Sequence, residues 1–427
     1  MLMILVIALM LGLILLRVPV AFAIAFSGIV GIGWLGGFDV VIGVLSVSLA
    51  SAAGSYSLSA IPLFILMAQL VLASGVLDEL FEAAGIIVGR IRGGTGIAAI
   101  GAGSMFAAVS GSSTAAAATL AHTSSSQMIA QGYSPRIAAG LVAVAGTLAA
   151  MVPPSILLVF YAITAEQSVG KVLVAGFVPG VLVAISLVAA LLLQIRFNPA
   201  LAPSGQSFSW LDKIRGLKAV APVFFLFSIV VGTIYFGLAT PTEAAALGCL
   251  GGLILTVIRR QLSWATLRQS LLSTISASVM ILFIIVGAHV FGHLLVETQV
   301  TPRLVEMIGT LSISPFLIML LIALMYVLLG FFMDQIAILA LTVPVVVPLI
   351  TSLGYDPIWF GVLIILLAEI GLVTPPLGLN VFVVARAANL PAEEVFKGVA
   401  PFVLAVLLVA LLVLAVPNIV LFVPNSM

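Results

Sequence analysis

Apolar runs of roughly 20 residues, long enough to cross a bilayer as helices, recur from one end of the chain to the other. They occupy residues 2–16, from Pro19 to about Trp34, and then 56–76, 136–164 and 172–195. In the second part of the chain they occupy 219–236, 241–258, 270–296, 357–385 and 399–423. The runs lack two-residue alternation, which argues against a β-barrel. Residues 38–54 are small and Ser-rich and are expected along an interface. Asp78-Glu79-Leu80-Phe81-Glu82, continuing to Arg90, reads as an amphipathic surface helix, and a second is expected near 300–310.

Two segments do not fit simple spans. Residues 94–126 are apolar at both ends but hold Ser110-Gly111-Ser112-Ser113-Thr114 in the middle. That pattern predicts a re-entrant hairpin with its tip at the Ser/Gly cluster. Residues 314–350 predict a second hairpin, with its tip at Phe332-Met333-Asp334-Gln335. Two of the apolar runs are interrupted by a proline pair, at Val152-Pro153-Pro154-Ser155 and at Thr374-Pro375-Pro376-Leu377. Proline removes a backbone donor and breaks a helix. In a membrane the freed carbonyls are tolerated only against protein, water or an ion.

The two pairs are 222 residues apart, and other residues coincide at that offset. Pro19 matches Pro241, Gly132-Tyr133-Ser134-Pro135 matches Gly354-Tyr355-Asp356-Pro357, Gly176 matches Gly398, and Pro179 matches Pro401. Ordered matches of Gly, Tyr and Pro at break positions mark a duplication, with halves of about 1–197 and 218–427 joined by the polar linker 198–217. Breaks at matching places in two halves are the sequence sign of a transporter binding site between repeats.

Composition agrees with this reading, because 63% of the residues are hydrophobic and 7% are charged. The apolar start, residues 1–16, lacks a basic leader and a small-residue cleavage site and reads as a first membrane helix. The net charge of +1 says nothing about nucleic acid, and no nucleic-acid partner is expected. The single cysteine, Cys249, excludes an intrachain disulfide.

Each half is expected to make five crossings plus one hairpin. An odd number inverts the second half relative to the first. With the N-terminus outside, thirteen of the fifteen Lys and Arg residues fall on the inner side, and only Lys171 and Arg303 fall outside. That is the bias the positive-inside rule requires. It places both termini on the outer face, with the first hairpin opening inward and the second outward.

The chemistry expected at the breaks is that of a hard monovalent cation, which takes several oxygen ligands. Ser110, Ser112 and Ser113 facing Pro153-Pro154 form one candidate cage. Asp334 facing Thr374-Pro375-Pro376 and Asn380 forms the other. Half-helix N-termini at the same places suit a carboxylate. Against this, Ser and Gly also serve close helix packing, and proline can merely kink a helix. Asp334 is harder to assign to packing, because a carboxylate in apolar surroundings is costly.

Glu369, six residues before Pro375, reads either as a structural partner or as a proton site. Glu243 reads as a helix-capping residue. His289, His293 and Glu297 share one helix face at four-residue spacing, which fits packing or a subunit contact better than a metal. His122 reads as structural. No nucleophile–base set, phosphate loop or haem motif stands out, so no enzymatic activity, no organic cofactor and no transition metal are expected.

Ile61-Pro62-Leu63-Phe64, Ser110-Gly111-Ser112-Ser113, Gly132-Tyr133-Ser134-Pro135, Ala239-Thr240-Pro241-Thr242-Glu243-Ala244-Ala245 and Thr374-Pro375-Pro376-Leu377-Gly378-Leu379-Asn380 together resemble the large membrane subunit of tripartite ATP-independent periplasmic (TRAP) transporters. The resemblance covers essentially the whole chain. It implies an all-α polytopic membrane protein of inverted-repeat, elevator type, with two re-entrant hairpins and two broken helices. It also implies sodium-driven uptake of an organic acid across the bacterial inner membrane. The expected partners are a small four-helix membrane subunit, here a separate chain, and a periplasmic substrate-binding protein.

Carried onto this chain, the scaffold is residues 1–93 and 218–311, and the transport domain is 94–197 and 312–427. The implied sodium-site residues are Ser110, Gly111, Ser112, Ser113, Pro153, Asp334, Thr374 and Pro375. Substrate contacts are expected from Ser112, Ser113, Pro154, Ser155, Pro376 and Asn380. A stand-alone sodium–carboxylate symporter of related elevator fold is the alternative.

The charge bias puts the linker in the cytoplasm. A cysteine introduced beside Arg215 should therefore react with an impermeant thiol reagent only from the cytoplasmic side. Labelling confined to the periplasmic side would overturn the orientation.

Overall fold

The computed structural model describes residues 2–16, 18–110, 112–203, 205, 209–310 and 313–427. All regular structure among them is helical. In the first half, α1 (Leu2–Leu15) leads into α2 (Val20–Gly54), then α3 (Ala60–Ala73) and α4 (Val76–Val88). α5 (Gly94–Ser110) and α6 (Ser113–Leu120) meet at Ser112, and a π-helical turn (Ala121–Ser125) continues into α7 (Ser126–Ala130). α8 (Pro135–Ala145) tightens into a 3₁₀ turn (Gly146–Ala150), and α9 (Ile156–Thr164) follows the first proline pair. α10 (Val169–Ala175) and α11 (Phe177–Phe197) close the half.

The second half runs through α12 (Trp210–Tyr235), α13 (Pro241–Ile258), α14 (Trp264–Glu297) and α15 (Val300–Thr310). α16 (Pro315–Gly330) and α17 (Gln335–Ser352) form its second helical pair. α18 (Pro357–Leu372) and α19 (Leu379–Ala387) flank the second proline pair, and α20 (Ala392–Ala415) and α21 (Asn418–Leu421) end the chain.

Among the described residues, six helical stretches are long and apolar enough to cross a membrane unaided, and α12, bent by 42° after Lys218, would make a seventh. The sequence reading expects ten crossings. The proline pairs divide two of the expected runs into shorter helices, and the helical stretches 2–14 and 57–73 fall short of the length that counts alone. Length and composition also admit α17, which the sequence reading makes a hairpin arm. Residues 38–54 belong to α2, whose helical dihedrals are interrupted at Gly37, where φ is +80°. Glycine adopts that angle without steric cost. Large apolar side chains such as Phe22, Trp34, Phe224, Phe225 and Ile275 remain exposed, as expected of a surface that faces lipid rather than water.

The halves interlock. α2 packs on α14 and α13 packs on α3, a reciprocal exchange between the two repeats. Gly28 and Gly31 of α2 lie against Val290, Phe291 and Leu294, and Gly248 and Gly252 of α13 lie against Met67 and Leu70. Small residues allow this closeness, and close packing is what holds helices together in lipid. Outside this frame, α4 is seated between α5 and α12, and Arg259 closes an ion pair with Glu79 on its exposed edge. Hydrogen bonding to that guanidinium holds the Glu79 carboxyl below the usual carboxylate range.

α8 and α18 form the centre. Every residue from Ile137 to Met151, and from Trp359 to Val373, is buried. A helix apolar on all sides belongs in such a position. α20 crosses α8 at two glycines: a Cβ on Gly140 would fall on the Gly398 backbone, and one on Gly398 on the Arg136 carbonyl. With backbone on both sides, neither neighbour can swing away. Gly398→Val should therefore cost about 1–3 kcal/mol, the usual range for overpacking. Gly292→Ala, where a Cβ meets nothing within 4 Å, should stay within about 0.5 kcal/mol. Melting of the purified protein in detergent compares the two.

Candidate functional site

The site is built from two helical tips and two helix breaks. At the first tip the Ser112 hydroxyl caps α6, accepting from the Ala115 amide at 3.4 Å. At the second, Asp334 caps α17 and accepts from the amides of Ile336 at 2.8 Å and Ala337 at 3.3 Å. Positions 112 and 334 are themselves 222 apart, so the duplicated plan places a capping oxygen at the same point of both tips. Gly111 and the Ser110 side chain lie outside the described residues.

The breaks differ in exposure. Pro153 and Pro154 are buried, and Ser155 is fully enclosed beside them. Its hydroxyl donates to the Ala150 carbonyl at 2.7 Å and accepts from the Leu158 amide at 3.4 Å. One side chain thus joins the broken ends. At the second break Thr374 donates to the Ile370 carbonyl, Gly378 starts α19 from a φ of +52°, and Pro375 and Pro376 are exposed. Both proline pairs are cis.

Each tip meets elements of both halves. α6 packs on the Gly146–Ala150 turn of its own half and on α19 of the other; α17 packs on α18 of its own half and on α9 of the other. The sequence reading pairs each tip with the break of its own half. The cross-contacts add the other half's post-break helix to each pairing.

The carboxylates also differ from expectation. Asp334 is surface-accessible at its tip and held by backbone amides. The enclosed carboxylate is Glu369, which is wholly buried in α18 and accepts a hydrogen bond from the Ser113 hydroxyl of the first tip. The two residues are 256 apart in the chain, and nothing in their local patterns pairs them. Gln335, at the second tip, faces the same carboxylate. Asn380, in the first turn of α19, is buried with both polar atoms unpaired among the described residues.

The remaining candidates are accounted for locally. Glu243 closes a capping box, accepting from the Thr240 amide at 2.8 Å. His293 lies 3.9 Å from Glu297. With His289 it lines a cavity of about 700 Å³ between α2, α14, α17 and the end of α9, where Glu166 also lies.

The DctM-component model of tripartite ATP-independent periplasmic transporters matches residues 7–419. The chain belongs to this family. It is therefore a large TRAP permease subunit, a multi-pass inner-membrane transport protein and not an enzyme. It is 34% identical over 384 residues to the C4-dicarboxylate large permease DctM of Pseudomonas aeruginosa, covering 89% of each chain. It is 30% identical to the 2,3-diketo-L-gulonate large permease YiaN of Escherichia coli, covering 96% of each. It is also 30% identical to the sialic acid large permease SiaM of Vibrio cholerae, covering 87% of each. In fold it is similar to the YdaH transporter of Alcanivorax borkumensis, with a TM-score of 0.64 at 15% identity, over 89% of this chain and 88% of that one. It is likewise similar to MtrF of Neisseria gonorrhoeae, with a TM-score of 0.61 at 12% identity, over 89% and 85%.

The permease's two tips use different capping groups, and substitution should separate capping from charge. Asp334→Ala, which removes the acceptor, should destabilise by about 1 kcal/mol, as should Ser112→Ala. Asp334→Asn keeps an acceptor and should cost a few tenths of that. Melting midpoints of the purified variants check the order.

Proposed function

We propose that this permease carries an organic acid across the inner membrane by sodium symport, moving the tips and breaks together as one elevator-like transport domain. The observation that carries the reading is the reciprocal contact: each half's tip helix lies against the other half's post-break helix. A site assembled this way binds from four elements at once, so filling it favours their joint movement. Half-helix N-termini at Ser113, Gln335, Ile156 and Leu379 supply partial positive charge for a carboxylate. Ser112, Ser113, Ser155 and Asn380 supply neutral oxygens.

Sodium is the proposed coupling ion, held at the first tip with Pro153 and at the second with Asp334, Thr374 and Pro375. The two tips enter from opposite faces as re-entrant hairpins, and the termini are periplasmic. The relatives' substrates, C4-dicarboxylates, sialic acid and 2,3-diketo-L-gulonate, are all organic acids, and a carboxylate is the class proposed here. A periplasmic binding protein delivers it, and a small four-helix subunit packs on the scaffold.

The test is uptake into proteoliposomes holding this permease and a small TRAP subunit, under an inward sodium gradient, with and without a binding protein loaded with organic acids. Uptake that needs both sodium and the binding protein is expected. Uptake with sodium alone would favour a stand-alone symporter. Asp334→Asn should weaken sodium-dependent uptake at least severalfold while the protein stays folded; full transport with unchanged sodium dependence would remove Asp334 from the site.

A further inference from the structure

The duplication is broken at one position that matters. Glu369 corresponds at the 222-residue offset to Thr147, so only one half carries a charge there. Thr147 is spent locally, its hydroxyl donating to the Val144 carbonyl at 2.6 Å. Ser113 and Gln335 also correspond at that offset, yet both face Glu369. The two equivalent tips thus converge on a single carboxylate.

The packing supports this convergence. A Cβ on Gly330, at the end of α16, would meet the Ala368 carbonyl at 2.7 Å and the Gly371 Cα at 2.9 Å. Those neighbours flank Glu369 in α18, so the glycine brings the second tip down to its level. Ser113 is buried at 2% exposure and Gln335 at 7%. Glu369 Oε2 and Gln335 Nε2 are buried with no hydrogen-bond partner among the described residues, and no Lys, Arg or His there pairs with the carboxylate. A buried carboxylate with one neutral hydrogen bond is costly unless a cation joins it. A hard monovalent cation suits a set made of one carboxylate and neutral side-chain oxygens.

We infer that Glu369 is the anionic ligand of a sodium site shared by the two tips, with its Oε1 held by Ser113 and its Oε2 left for the ion beside Gln335. The inference rests on the sodium-symport reading and adds to it a ligand outside the tips and breaks. Sodium at Glu369 draws both tips onto α18, so ion binding from either side orders the whole site.

The experiment is a sodium titration of the purified permease, followed by melting temperature with potassium replacing sodium at constant ionic strength, and repeated at two pH values. Wild type should be stabilised by sodium. Glu369→Gln should raise the half-saturating sodium concentration at least tenfold, and Gln335→Ala severalfold. Glu369→Asp, which keeps the charge but withdraws it by one methylene, supplies the same readout if Glu369→Gln does not fold. An unchanged sodium midpoint in the folded Glu369 variant overturns the shared site and leaves sodium symport standing. Loss of a pH effect with an unchanged sodium midpoint also overturns it, in favour of a proton. No sodium response in wild type sinks the sodium reading itself, and this inference with it.

Discussion

A helix that stops inside an apolar interior leaves carbonyls and amides that must be satisfied nearby, and the rest of this structure depends on that constraint. α8 and α18 are enclosed on all sides; the first break is enclosed with them, whereas Pro375 and Pro376 of the second are exposed. At the first break Ser155 meets the need by donating to one broken end and accepting from the other. At the second, Thr374 returns a hydroxyl to the last turn of α18, and Gly378 reverses the chain into α19.

Interlocking of the repeats follows from the same need. A half alone would expose its break to lipid. Exchange of contacts sets each tip helix against its own half and against the other half's post-break helix, while α2 with α14 and α13 with α3 supply a frame crossed in the same reciprocal manner. The price is long-range contact: the decisive hydrogen bond, Ser113 to Glu369, joins residues 256 apart.

Much of the plan was legible in the sequence because Pro, Gly and Tyr at break positions tolerate little drift. Pro153-Pro154 and Pro375-Pro376 locate the breaks, and the 222-residue offset relates them. The surface-helix pattern locates α4 and α15. What escaped has physical reasons. The Ser-rich residues 38–54 are helical, set off from the first part of α2 by the non-helical Gly37; within them Ser46 donates to the Ile42 carbonyl at 2.7 Å. The partnership of Ser113 with Glu369 depends on how two halves dock, and periodicity within one helix carries no information about that.

Symmetry and asymmetry then divide the work between them. The duplicated features, Ser112 with Asp334 and the two proline pairs, build two comparable half-sites with their own caps and breaks. The unduplicated ones decide what the combined site can do. Thr147 bonds its own helix, whereas Glu369 is a carboxyl group turned toward both tips. Two equal charges at the same depth would repel one another in a low-dielectric interior and would demand two counter-ions at once. A single carboxylate shared by both halves avoids that repulsion. It also makes the electrostatic state of the centre depend on one event rather than two.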